Sequence, residues 1–238
     1  MAASTFAAAA PTVYLAGDST MAATGNNDGT TAGWGAYLST HISLAVVNHA
    51  LGGRSARSFT REGHFDAIAA LITNEDIVVI EFGHNDGGGL RIDNGRSDCP
   101  PSGTDYTVTC KSTFQGKAET VLTYEAYLIN AANLFTSKGA RVIISSATPD
   151  NPFDTGKFIY SPDRFNAYAR DAAKVSGATF VDHGGYTADA FEKAGMKVVD
   201  GYYPKDHVHT SPEGAKVVAS AFVDAVVAAG GPLKPYVI

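Results

Sequence analysis

The chain has 238 residues, of which 45% are hydrophobic and 10% aromatic, enough for a sizeable core and unlike a disordered, collagen-like or coiled-coil chain. Its 18 Lys+Arg against 24 Asp+Glu leave a net charge of -6, so no broad positive field exists to hold nucleic acid or an anionic membrane. No apolar run approaches the roughly 18 residues of a spanning helix.

Residues 1–10, MAASTFAAAA, are small and apolar like the end of a secretory signal, but they are short and lack a basic start. They are read as a signal remnant or expression scar, which leaves 11–238 as one domain without an internal linker. Short, mostly continuous apolar segments at 12–16, 45–48, 76–82, 140–145 and 179–182 predict strands buried on both faces of a parallel sheet. Between them, 62–72 carries Phe65, Ile68, Ala69 and Ile72 at helical spacing. A second helix is predicted over 119–138, with Leu122, Ala126, Ile129, Ala132 and Leu134 on one side and Gly139 as its stop. Ser161-Pro162-Asp163 reads as a capped helix start, and Thr210-Ser211-Pro212-Glu213 reads as another, through a capping box of Thr210 and Glu213. Strands alternating with helices imply right-handed crossovers and a doubly wound α/β sheet. The stretch 87–116 is too long for an ordinary connection and is expected to be functional or mobile, while 150–162 is expected to form a rim. Cys99 and Cys110 fall in the longer stretch, where two cysteines suit a disulfide closing a surface loop better than a metal site wanting four ligands.

In doubly wound sheets, ligands bind beyond the carboxyl ends of the strands. After the first predicted strand comes Gly17-Asp18-Ser19-Thr20, a tight turn that suits a nucleophile. Asn48 and Gly52-Gly53-Arg54 follow the second strand, and Gly83-His84-Asn85-Asp86 follows the third. A glycine lets its amide approach a ligand closely and Asn85 offers a side-chain donor, so these positions can complete an oxyanion hole with the Ser19 amide. Ahead of the last helix stands Asp206-His207-Val208-His209, in which a carboxylate three residues before a His can orient the ring while its far nitrogen takes the serine proton. The competing reading, His207, His209 and Asp206 around a metal, leaves Ser19 and Asn85 unexplained. His84 and Trp34 are read as structural, and Tyr202 and Tyr203 as rim residues.

The blocks Gly-Asp-Ser-Thr, Asn48 to Gly53, Gly-His-Asn-Asp and Asp-x-x-His resemble, in order and across most of the chain, the SGNH or GDSL-type hydrolase superfamily. More narrowly, Tyr-Leu-Ala-Gly-Asp-Ser-Thr-Met, Gly-Arg-Ser-Ala-Arg-Ser, Glu-Phe-Gly-His-Asn-Asp and Asp-His-Val-His-Thr-Ser-Pro resemble rhamnogalacturonan acetylesterases, which share Thr20 where the superfamily usually has Leu. The resemblance implies a single three-layer α/β/α, flavodoxin-like domain with a five-stranded parallel sheet. It implies Ser19 as nucleophile, His209 as base and Asp206 as its orienting acid, with Ser19, Gly53 and Asn85 as oxyanion donors. Only spacing selects Gly53 over Gly52.

The expected activity is removal of O-acetyl groups from a plant cell-wall polysaccharide, rhamnogalacturonan first, with acetylxylan esterase or another GDSL-type esterase or lipase as the alternative. The candidate loops are rich in Gly, Asp, Asn, Ser and Thr, which disfavours a long acyl chain. No cofactor or metal is expected. Arg54, Arg57 and Arg61, at i, i+3 and i+7, are candidates for binding uronate carboxylates, against a slightly favoured structural network with Glu62 and Asp66. A secreted, extracellular monomer is expected, with no Asn-x-Ser/Thr acceptor in the chain.

Overall fold

In the computed structural model, which describes residues 10–238, the chain runs β1 (Thr12–Gly17), β2 (Ala45–Asn48), α1 (Ala56–Arg61), α2 (His64–Ala69) and β3 (Ile77–Glu81). It continues through the hairpin β4 (Thr109–Phe114) and β5 (Lys117–Leu122) to α3 (Tyr124–Ser137), β6 (Arg141–Ser145) and α4 (Arg164–Ser176). The last elements are β7 (Thr179–Val181), α5 (His183–Ala194), α6 (Met196–Asp200) and α7 (Pro212–Ala229). The reading of residues 1–10 falls, but for residue 10, outside the described residues.

The five strands expected from the sequence form one sheet in the order β2-β1-β3-β6-β7 with every pairing parallel. Counting only these strands, the order is the flavodoxin-like 2-1-3-4-5, whose chain direction reverses between β1 and β3. Alternate residues enter two separate cores, which is why the strands read as continuous apolar runs. Tyr14, Ala16, Val78, Ile80, Val142 and Ile144 face α1 to α4 through Phe59, Phe65, Leu128 and Phe135. Val13, Leu15, Ile77, Val79, Ile143 and Val181 face the other layer through Trp34, Phe191 and Phe222.

Glu81, the last residue of β3, is 1% exposed and carries a carboxylate between the layers. It accepts hydrogen bonds from Trp34 Nε1 at 2.7 Å and Ser145 Oγ at 2.7 Å, and it meets His183 Nδ1 at 2.7 Å. His183 Nε2 faces the Val218 carbonyl at 2.9 Å, so that nitrogen carries a proton. The network ties β3, β6, α5, α7 and the Trp34 turn together, and Trp34 also stacks on Phe222 of α7.

Three local expectations are corrected. The helix predicted over 62–72 is the shorter α2, His64–Ala69, set off by Gly63 in the left-handed region at φ 78° from a separate helix that begins six residues before the predicted start. Ser55 caps that helix through the Ser58 amide, and Ser58 reciprocates. The helix predicted over 119–138 loses its first residues to β5, whose antiparallel ladder with β4 outweighs local helical spacing; the helix starts at Tyr124 with Thr123 as its cap. At α7 the cap is Ser211, which accepts from the Gly214 amide with Pro212 in the first turn, whereas Thr210 donates its hydroxyl to the Ala32 carbonyl. The stretch 87–116 contains β4, and the expected Cys99–Cys110 disulfide joins that strand to the segment behind it.

Replacing the buried Glu81 carboxylate by an amide leaves donors that converge on it without an acceptor, away from water. Glu81→Gln is therefore expected to cost about 3–5 kcal/mol of unfolding free energy, read as a lowered midpoint in urea with the slope unchanged.

Candidate active site

The chain leaves the carboxyl end of β1 into a turn that Asp18 organises, its Oδ1 accepting from the Thr20 amide at 2.9 Å and the Thr20 hydroxyl at 2.8 Å. Asn48, at the end of β2, donates to the Met21 carbonyl at 2.9 Å and accepts from the Ala50 amide at 3.0 Å. These bonds hold Ser19, 3% exposed, at the sheet edge where the strand order reverses. The segment before α7 is stitched to the same region by the Ala32 amide on the Thr210 carbonyl at 2.9 Å.

Ser19 Oγ lies 2.8 Å from His209 Nε2, and His209 Nδ1 lies 2.8 Å from Asp206 Oδ2. A carboxylate only accepts, so Nδ1 carries the ring proton and Nε2 presents its lone pair to the serine hydroxyl. Asp206 is itself fixed, because its Oδ1 accepts from the Val208 and His209 amides at 2.8 Å each. Desolvation pulls the Asp206 carboxyl upward, but the bonds from the His209 amide and ring and from Val208 outweigh it and hold it below the ordinary carboxylate value.

Among the described residues, the amides of Ser19 and Gly53 have no hydrogen-bond acceptor in the protein. Gly53 adopts φ 75°, the left-handed region in which a side chain would be strained. Asn85 Nδ2 donates to the Arg54 carbonyl at 3.1 Å, while Asn85 Oδ1 accepts from Arg96 Nη1 at 3.0 Å. A guanidinium cannot accept and a carbonyl cannot donate, so both contacts fix the same orientation of the amide and leave one N–H available. Ser19, His209 and Asp206 are thus joined by hydrogen bonds, and Arg96, which the sequence reading missed, meets Asn85.

The arginine expectation is corrected in part. Arg57 is 0% exposed and cannot touch a polysaccharide: it makes bidentate contacts to Asp93 (2.9 and 2.7 Å) and Glu119 (3.1 and 2.6 Å) and donates to the Ser97 carbonyl at 2.8 Å. Arg54 pairs with Glu62 at 3.0 Å, and Arg61 with Glu119 at 3.5 Å while lying over the Phe114 ring. The network thus runs to Asp93 and Glu119, residues distant in sequence, rather than to Asp66. Trp34 is core, as expected, and Tyr203 is also buried, its hydroxyl donating to the Pro149 carbonyl at 3.2 Å. His207 turns toward Asp154 at 3.7 Å instead of sharing a ligand with His209.

The scan for known families matches the GDSL-like lipase/acylhydrolase model over residues 15–217. The chain belongs to that family. This GDSL hydrolase is 55% identical to a rhamnogalacturonan acetylesterase of Emericella nidulans over 223 residues, covering 94% of the chain and 87% of the relative. It is 27% identical to a rhamnogalacturonan acetylesterase of Bacillus subtilis, covering 95% of the chain and 94% of the relative. Among solved structures it resembles the YxiM protein of Bacillus subtilis with a TM-score of 0.72 at 22% identity, over 92% of the chain and 57% of that protein's length. An acetylxylan esterase from Geobacillus stearothermophilus matches with a TM-score of 0.57 at 17% identity, over 91% of the chain and 94% of that protein, a likeness of fold. The chain is a carboxylic ester hydrolase of this family.

His84 takes the structural place expected of it, beside a hollow of about 210 Å³. Its ring meets Asp150 at 3.5 Å and Thr148 Oγ1 at 3.4 Å. Burial alone would lower the imidazole, but the Asp150 hydrogen bond and the charges of Asp18, Asp150 and Glu81 prevail and raise it to about 9. A histidine raised on folding stabilises fully below its ordinary 6.5 and loses that contribution as the pH approaches about 9. Unfolding free energy measured in urea across that range is expected to fall in the wild type, with a shallower slope in His84→Gln.

Proposed function

We propose that this GDSL hydrolase removes O-acetyl groups from rhamnogalacturonan through an acetyl-enzyme on Ser19. The hydrogen-bonded chain Ser19–His209–Asp206, with 2.8 Å at both links, is the observation that carries the mechanism. His209 Nε2 takes the Ser19 proton as Oγ attacks the acetyl carbonyl. The oxygen that becomes negative is held by the Ser19 and Gly53 amides and the remaining Asn85 N–H. His209 then gives its proton to the departing sugar oxygen, and a water activated at the same nitrogen releases acetate. Asp206, held ionised, stabilises the imidazolium in both halves.

The substrate reading is supported by the 55% identity to the Emericella nidulans enzyme. The acetylxylan alternative is supported by a likeness of fold only. A long acyl chain is disfavoured by polar surroundings: Asp150, Asn151 and Ser161 line the hollow beside His84, and Arg54, Asn94 and Arg96 line the one beside Gly53. Extracellular action completes the proposal, since the Cys99–Cys110 disulfide suits an oxidising compartment.

Acetate release from acetylated rhamnogalacturonan and acetylated xylan, measured side by side, tests the proposal. Release mainly from the pectic polymer and lost in Ser19→Ala is expected; serine-dependent release mainly from xylan would replace the substrate. Asp206→Asn is expected to lower kcat by about 10⁴-fold, because an amide in place of the carboxylate lets the imidazole take the wrong tautomer.

A further inference from the structure

We infer that Arg96 is a specificity-determining residue that binds a uronate carboxylate of the polysaccharide close to the acetyl group, an inference that rests on the substrate class proposed above. The three arginines on and beside α1 are already engaged. Arg54 is held by Glu62 and the Gly52 carbonyl, Arg57 by Asp93 and Glu119, and Arg61 by Glu119, the Gly95 carbonyl and the Phe114 ring. Arg96 has no carboxylate within ion-pair distance among the described residues, and its one side-chain bond there is Nη1 to Asn85 Oδ1 at 3.0 Å. A guanidinium carries five N–H donors in a rigid fork, so most of them remain to be satisfied. A carboxylate suits that fork through two parallel bonds.

The position matches the chemistry. A Cβ placed on Gly53 would lie 4.0 Å from Arg96 Nη1, so the guanidinium stands beside that glycine. It borders a hollow of about 340 Å³ that Gly53, Asn94, Phe114 and Gln115 also line, wide enough for a sugar ring. The loop that presents it is braced from below. Asn94 Oδ1 accepts from the Arg96 and Ser97 amides at 2.8 and 3.0 Å, buried Arg57 donates to the Ser97 carbonyl at 2.8 Å, and Cys99 is disulfide-bonded to Cys110. On a chain with net charge -6, an acidic polymer needs a local cation of this kind to lie against the site. Because the same guanidinium holds Asn85, a bound carboxylate sits one hydrogen-bonded link from the oxyanion donor.

The test measures competitive inhibition of nitrophenyl acetate hydrolysis by a deacetylated rhamnogalacturonan oligosaccharide, and by the same oligosaccharide with its carboxyls reduced to alcohols. Wild type is expected to prefer the acidic oligosaccharide by at least tenfold in Ki. Arg96→Gln is expected to erase that preference by weakening the acidic inhibitor alone, and Arg96→Lys to restore part of it. Equal inhibition by the two oligosaccharides in wild type, or a preference that survives in Arg96→Gln, overturns the inference. So does a variant whose defect lies wholly in kcat on the small ester, which would make Arg96 a positioning residue for Asn85 and nothing more. Failure of acetate release from the pectic polymer with the inhibitor preference intact would overturn the substrate proposal and leave the carboxylate site standing.

Discussion

A carboxylate buried at the carboxyl end of the central strand is the constraint around which this fold closes. Glu81 cannot be left bare in the interior, and the groups that satisfy it come from four other parts of the chain: Trp34, Ser145, His183 and, through the histidine, Val218. Apolar packing alone tolerates sliding of one layer on another, whereas these bonds at 2.7 to 2.9 Å do not. The strand so fixed leads directly into the turn that carries His84, Asn85 and Asp86. The placement of Asn85 therefore originates beneath the surface, in a buried carboxylate.

Ser19, Asn85 and His209 inherit their arrangement from the parallel sheet. Its carboxyl ends gather the turns after β1, β2 and β3 on one edge, and the cap of α7 returns His209 to the same place. Charge is distributed unevenly there. Asp18, beneath Ser19, is pushed up by burial against the pull of His84 and the Thr20 bonds, while His84 is raised by its carboxylate neighbours. A cation is thereby retained at His84, and a second, Arg96, bonds the neighbouring Asn85.

The strands were legible in the sequence because each is apolar on both faces; Ser19 and Asn85 were legible because each follows a strand end in a polar turn, and Asp206 and His209 because they stand just ahead of a capped helix. Helix 62–72 was misread since Phe65, Ile68 and Ala69 do share a face, but Gly63 breaks the backbone just before them. The hairpin was missed for a different reason: residues 117–122 are half-exposed and pair only with a neighbouring strand, so neither periodicity nor burial marks them. Arg57 and Arg96 show the limit most sharply. Both lie in polar segments with similar composition, yet one is sealed between Asp93 and Glu119 and the other faces a hollow. Only partners 36 and 62 residues away decide which is which, and no local pattern carries that information.

The hydrogen bond between Ser19 and His209 joins positions 190 residues apart. Under the proposed roles, hydrolytic power therefore appears only once residue 209 has been made and has docked. A chain that has emerged only as far as β7 has its serine and glycine amides but no base. Under those roles a partial chain is chemically silent toward acetyl esters until the segment before α7 has docked, a consequence of chain order alone.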